Sequence, residues 1–160
     1  MRQDTLLFLL NDDTQELLLA MKKRGFGVGK LNGVGGKVQP EESVEASAVR
    51  EAQEEVGVVI SQDDLVKVGE LTFQFANKSE WSINCHVFFV RKWTGNPAES
   101  EEMAPEWFSC ADIPYSRMWV DDKYWLPMVL RGDYIKAVFN FNNDGSILLS
   151  YDITGTGAAL

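Results

Sequence analysis

Residues 36–58 constrain the fold of this chain more than any other stretch. Ser43 precedes the run Val44-Glu-Ala-Ser-Ala-Val-Arg50-Glu51-Ala-Gln-Glu54-Glu55-Val56, and Gly57 follows it. A serine at the N-cap and a glycine at the left-handed C′ position delimit a helix between them. On that helix Val49, Ala52 and Val56 make an apolar stripe able to dock on a sheet. Glu51, Glu54 and Glu55, at i, i+3 and i+4, crowd a separate face. Ahead of the helix, Gly33-Val34-Gly35-Gly36 lets backbone approach a ligand closely. A layered fold follows, helix against sheet, with concentrated negative charge left on the helix.

Two readings of those carboxylates stand side by side. Most charge runs are solvated faces, and three glutamates alone favour that account. A hard divalent cation is the other, because Mg²⁺ is held by carboxylate oxygens, water and substrate phosphates.

The wider spacing separates them. Gly36, Glu42, Arg50-Glu51, Glu54-Glu55, Gly57 and the aliphatic Val58 stand at fixed intervals. Seven fixed residues at average usage coincide at a given start with a probability on the order of one in 10⁸. The pattern resembles the Nudix hydrolase box throughout. That resemblance implies an α/β fold, a curved mixed sheet sandwiched between helices, and a Mg²⁺-dependent pyrophosphohydrolase, with Mn²⁺ as a substitute ion. Its substrates are nucleoside diphosphates linked to a further group. It also implies that Glu51, Glu54, Glu55 and the Gly35 carbonyl are metal ligands, with Glu51 and Glu55 joint candidates for the base. Arg50 is then a structural partner of Glu42. Glu102, in Glu99-Ser-Glu-Glu102-Met, matches a further metal-binding or catalytic acid of the family. An acidic surface loop is the plainer account of that segment, since Glu101 is adjacent. Without metal, the crowded acids should hold at least one proton more tightly than usual.

At 160 residues and 45% hydrophobic content, the chain suits one globular domain, placed at 1–153 with a frayed tail at 154–160. A net charge of −9 argues against a nucleic-acid polymer as partner. The exception is a basic island, Lys22-Lys23-Arg24 with Lys30 and Lys37, which could meet a polyphosphate. Cys85 and Cys110 are too few for a disulfide framework and read as reduced, buried thiols. The N-terminal apolar run is too short for a signal peptide, and no run reaches membrane-spanning length. The default is a soluble, cytoplasmic monomer acting on a small nucleotide.

Strands are expected at 6–10, 16–22, within 63–76, at 81–91, 106–108, 134–141 and 146–151, with a second helix at about 121–130. His86 lies inside one of these strands and reads as structural.

Three segments outside the box resemble the animal-type oxidised purine nucleoside triphosphatases (MutT homologues) of the same family: Met21-Lys-Lys-Arg-Gly-Phe-Gly27, Leu31-Asn32-Gly-Val-Gly-Gly-Lys37 and Met118-Trp119-Val-Asp121-Asp122-Lys-Tyr-Trp125. The resemblance implies hydrolysis of 8-oxo-dGTP, 2-oxo-dATP and related purines to monophosphate and pyrophosphate, which sanitises the nucleotide pool and prevents DNA damage. Its substrate site would comprise Lys22, Phe26, Asn32, the turn Val34-Gly35-Gly36-Lys37, Phe73, Trp119, Asp121 and Asp122. Trp119 with Phe26 or Phe73 could sandwich a base, Asn32 offers a donor and an acceptor, and a buried Asp121–Asp122 pair would share a proton. Plainer roles stay open: Asp121 as a helix cap, Trp119 as core, Asn32 as part of the turn. Leu31, Val34 and Val120 depart from the pattern, and Leu7 stands where the family has a substrate-reaching Thr. Rival activities are cleavage of dinucleoside polyphosphates or nucleotide sugars, or a silent nucleotide-binding domain.

Overall fold

The computed structural model describes residues 1–158. Its strands are β1 (Arg2–Asn11), β2 (Glu16–Lys22), β3 (Leu31–Asn32), β4 (Val66–Phe75), β5 (Ile83–Val90), β6 (Met103–Ser109), β7 (Asp133–Phe141) and β8 (Leu148–Ala158). The helices are α1 (Val44–Val56) and α2 (Asp122–Leu130). The strands join in one mixed sheet in the order β3-β2-β1-β5-β4-β7-β8, with β6 on β2. The β1–β5 and β4–β7 pairs are parallel, and the other pairs are antiparallel.

Alternation along β1 divides the interior in two. Leu6, Phe8 and Leu10 enter a core with Leu71, Trp125, Leu126, Val129 and Phe139 beneath α2. Leu7 and Leu9 enter a second core with Ala48, Ala52, Val56 and Phe88 beneath α1. One helix on each face of the sheet is the expected sandwich. Val49 only borders the second core, while Ala48 and Ser47 are fully buried, so the docking stripe of α1 is rotated from the expected one.

The caps follow the sequence. Ser43 Oγ accepts from the Ala46 N–H, and Gly57 adopts φ 76° beyond the last turn. Several strands outrun their expected bounds, most of all at the C-terminus. There β8 pairs Thr154 with Lys136, Gly155 with Ile135 and Ala158 with Asp133, where fraying was expected. The rest of that expected tail, residues 159–160, lies outside the described residues. Cys85 and Cys110 are both free; Cys85 is buried and Cys110 half-buried. His86 is more partnered than its sequence suggests, with Nε2 2.7 Å from Gln3 Oε1 and Nδ1 2.9 Å from Lys67 Nζ.

Candidate active site

Helix α1 presents its acids through one arginine. Arg50 donates to Glu42 through Nε (2.7 Å) and Nη2 (3.0 Å), and through Nη1 to Glu51 and Glu54 (both 3.1 Å). Its Nη2 also reaches the Lys37 carbonyl, tying the loop before the helix to the helix itself. This pairing holds the Glu42 carboxyl down at about 2. Glu54 remains the most exposed of the three acids on this face.

Glu55 is different. It is buried, accepts the Gly35 N–H at 2.7 Å and borders a cavity of about 590 Å³. Burial pushes its carboxyl up to about 8, with the Glu51 charge adding to the shift. Glu51 is raised too, chiefly by burial. The expected proton therefore resides mainly on Glu55. A glycine is required beside each acid. A Cβ on Gly35 would stand 1.9 Å from the Thr5 carbonyl oxygen, and one on Gly36 would stand 2.8 Å from Glu51 Oε1.

The donor set suits a hard cation. Glu51 and Glu55 are oxygen donors whose charge burial disfavours, and a cation would relieve that cost. Among the described residues, however, no three acidic, imidazole or thiol groups converge on one point. Glu51 and Glu54 are turned to Arg50, so gathering the acids means exchanging that partner.

Glu51 and Glu54 stay off the cavity wall, and three further expected site residues lie elsewhere. Glu102 is held by Arg24, whose Nε and Nη2 donate to Glu102 Oε1 at 3.0 and 2.6 Å. That pairing keeps Glu102 below the usual carboxylate range and outside the cavity wall. Val34 is 2% exposed and belongs to the core under α1, because its residue pairs with Leu7 through two backbone hydrogen bonds. Lys37 is exposed and off the cavity. Of the basic island only Lys22 and Lys30 border the cavity, since Lys23 is paired with Glu99 and Arg24 with Glu101 and Glu102.

The rest of the cavity wall gathers the aromatic and amide residues. Phe26, Asn32, Phe73, Trp119, Asp121 and Asp122 share it with Lys22, Gly35, Gly36 and Glu55. Residues 23–29 form a loop closed at its base by the Lys22 N–H to the Lys30 carbonyl and the Gly29 N–H to the Lys22 carbonyl. The loop stacks Phe26 on Trp119, with centroids 5.2 Å apart, and sets the Lys30 ammonium 5.2 Å from the Trp119 ring. Phe26 and Trp119 therefore meet each other directly, with no room for a ring between them. Asn32 Oδ1 accepts the Gly33 N–H, so part of its capacity serves the turn.

Asp121 and Asp122 are both buried. Asp121 has no capping hydrogen bond; it accepts the Trp125 indole N–H at 2.9 Å, which sets aside the cap reading. Asp122 accepts the Trp119 N–H at 3.1 Å. Burial raises both carboxyls. The Asp121 charge and a hydrogen bond between the pair push Asp122 further, so the shared proton sits on Asp122.

Thr5 and Cys85 are among the residues of this wall that sequence reasoning missed. Leu7 is fully buried beneath α1 and does not reach the cavity, whereas Thr5, on the same face of β1, does. The Thr5 hydroxyl is buried without a protein partner. Cys85 also borders the cavity. Alternation along a strand places Thr5 and Leu7 on one face, but only the position of α1 tells which of them is covered.

Residues 1–129 match the NUDIX domain. The chain belongs to the Nudix family. Among Nudix relatives, it is 45% identical over 139 residues to the mouse oxidized purine nucleoside triphosphate hydrolase, covering 87% of this chain and 86% of that protein. To the zebrafish protein of the same name it is 44% identical over 132 residues, covering 82% and 83% respectively. A Nudix-type fold recurs in a MutT protein of Bacillus halodurans, with a TM-score of 0.82 at 22% identity, covering 96% of this chain and 97% of that one. The three motif segments outside the box lie inside the span matched to the family.

Proposed function

We propose that the chain hydrolyses oxidised purine nucleoside triphosphates, 8-oxo-dGTP and 2-oxo-dATP among them, to monophosphate and pyrophosphate, as a cytoplasmic monomer using Mg²⁺ or Mn²⁺. One observation carries the reading: Glu55, Gly35 and Gly36 share a single cavity with Asn32, Trp119, Asp121 and Asp122. Phosphate chemistry and base recognition then fall in one ligand's reach. The names of the mouse and zebrafish relatives supply the substrate class.

Glu51, Glu54, Glu55 and the Gly35 carbonyl would hold the ion. Glu102 would join them only on release from Arg24. When bound, the cation neutralises phosphate charge that otherwise repels the nucleophile. Glu51 and Glu55 are the joint candidates to orient and deprotonate the attacking water, and Lys22 and Lys30 supply positive charge facing the polyphosphate. At the base, protonated Asp122 donates while Asp121 accepts, and Asn32 offers its amide. A pair sharing one proton can exchange donor and acceptor, which suits the distinct edges of 8-oxo-guanine and 2-oxo-adenine.

Pyrophosphate release from 8-oxo-dGTP, 2-oxo-dATP, O6-methyl-dGTP, dGTP and diadenosine polyphosphates, with and without Mg²⁺, tests the reading. Preference for the oxidised purines supports it, and equal rates on dGTP and every modified form overturn it. Glu55→Gln should lower kcat by at least about 10²-fold, the scale of a lost general base, while leaving the circular-dichroism spectrum intact. Near-wild-type turnover in that variant would remove Glu55 from the chemistry.

A further inference from the structure

The cavity continues beyond the acids assigned to the base. It is also bordered by Asp4, Glu80, Trp81 and Asp144, none of them in the box or in the segments that resemble the purine-specific branch. Cys85 links the two regions. Its buried thiol is pushed up by burial and then by Asp4, Asp121 and Asp122 together, so it lies among all three carboxyls.

Trp81 is the principal surface of this shelf. It closes the turn Ser79–Trp81 between β4 and β5 and stays 50% exposed although it borders the cavity. Phe75 meets it edge-on, centroids 6.4 Å apart at 71°, and the Lys78 ammonium stands 3.8 Å from its ring. Arg2, the cation on this side of the cavity wall, is paired with Asp4 at 2.7 Å. Glu80 and Asp144 leave the rim acidic. An acidic rim disfavours phosphate, and a half-exposed indole wall favours a flat, uncharged ring that can stack on it.

We propose that this shelf is a subsite for a substituent on the exocyclic nitrogen of the purine, so that the chain also takes purine nucleotides enlarged there by an arylmethyl group. The inference rests on the assignment of Asp121 and Asp122 to the base edge. A substituent on that edge passes Cys85 and reaches Trp81, where its ring stacks while its N–H still donates to an acid.

Calorimetric titration with N6-benzyl-dAMP and with dAMP tests the subsite without requiring turnover. Wild-type protein should bind the benzyl nucleotide about tenfold more tightly, near the low end of ring stacking on an aromatic side chain. Trp81→Ala should bring the two within about twofold, with dAMP affinity and Tm unchanged, and Trp81→Phe should restore most of the preference. Equal or weaker binding of N6-benzyl-dAMP to wild type overturns the proposal, as does a preference that survives Trp81→Ala. Pyrophosphate release from 2-oxo-dATP, run in parallel, separates the failures. Turnover without a benzyl preference removes only the subsite, and absence of turnover removes the proposed reaction.

Discussion

A carboxyl held near pH 8 makes Glu55 a titratable weakness of the folded chain. Its ordinary value is 4.5, and burial raises it to about 8. The folded state therefore keeps a proton that the unfolded state gives up across that window. The contribution to stability is fully present below pH 4.5 and is lost as pH rises toward 8, amounting to roughly a few kcal/mol at most. Thermal melts of metal-free protein from pH 5 to 9 should show a falling Tm that Glu55→Gln flattens. Mg²⁺ should raise Tm more at pH 8.5 than at pH 6, because the ligand must lose its proton to bind. An equal Mg²⁺ effect at both pH values would contradict that coupling. The proton on the acids was legible in the sequence, since crowding alone demands it. Which glutamate takes it was not, because that depends on the Gly35 turn folding over the helix.

The elements around the site owe their placement to a few tight contacts. Gly27 sits at φ 84°, and a Cβ there would stand 2.8 Å from the Trp119 ring. Gly27→Ala should displace the stack of Phe26 on Trp119 and raise KM for 2-oxo-dATP by about tenfold, with kcat changed less. A change in kcat alone would place the loop's role elsewhere. Arg50 performs the equivalent task for α1. Arg50→Ala releases Glu42, Glu51 and Glu54 together and leaves three carboxylates without their partner. Its side chain is 23% exposed, so solvent softens the loss, and about 2 kcal/mol is the expected scale between surface and buried pairs. Urea denaturation measures it, and a loss below about 0.5 kcal/mol would show the clamp to be incidental. Helix α1 itself was readable from Ser43, Gly57 and its stripe, all of which are local. The clamp was readable only in part: Arg50 to Glu42 is what the resemblance to the family box implies, whereas the hold on Glu51 and Glu54 needs the side-chain geometry. The Arg24–Glu102 pair, 78 residues apart, leaves no local trace at all.

At the scale of the molecule, one sheet divides two cores, and the site lies where the cover of α1 ends. Local patterning indicates strands and helices but carries no record of β1 lying parallel to β5 or β4 to β7, since each pairing joins distant segments. Leu7 illustrates the point. Leu7 and Thr5 share a face of β1, yet α1 covers Leu7 and the cavity begins at Thr5. Exchanging the chemistry at these two positions tests that division directly. Leu7→Thr puts a hydroxyl into a packed apolar layer and removes methyl contacts, so a loss of about 2–4 kcal/mol is expected by urea denaturation. Thr5→Val removes a hydroxyl buried without a partner and keeps the shape. It should leave metal-free stability unchanged or raise it by about 1 kcal/mol. The selectivity between 2-oxo-dATP and dATP should be unaltered in folded Leu7→Thr protein, because α1 covers that side chain and keeps it off the cavity. A tolerated Leu7→Thr with altered base preference, or a Thr5→Val that loses several kcal/mol, would mean that the cover of α1 ends at a different point along β1 from the one described.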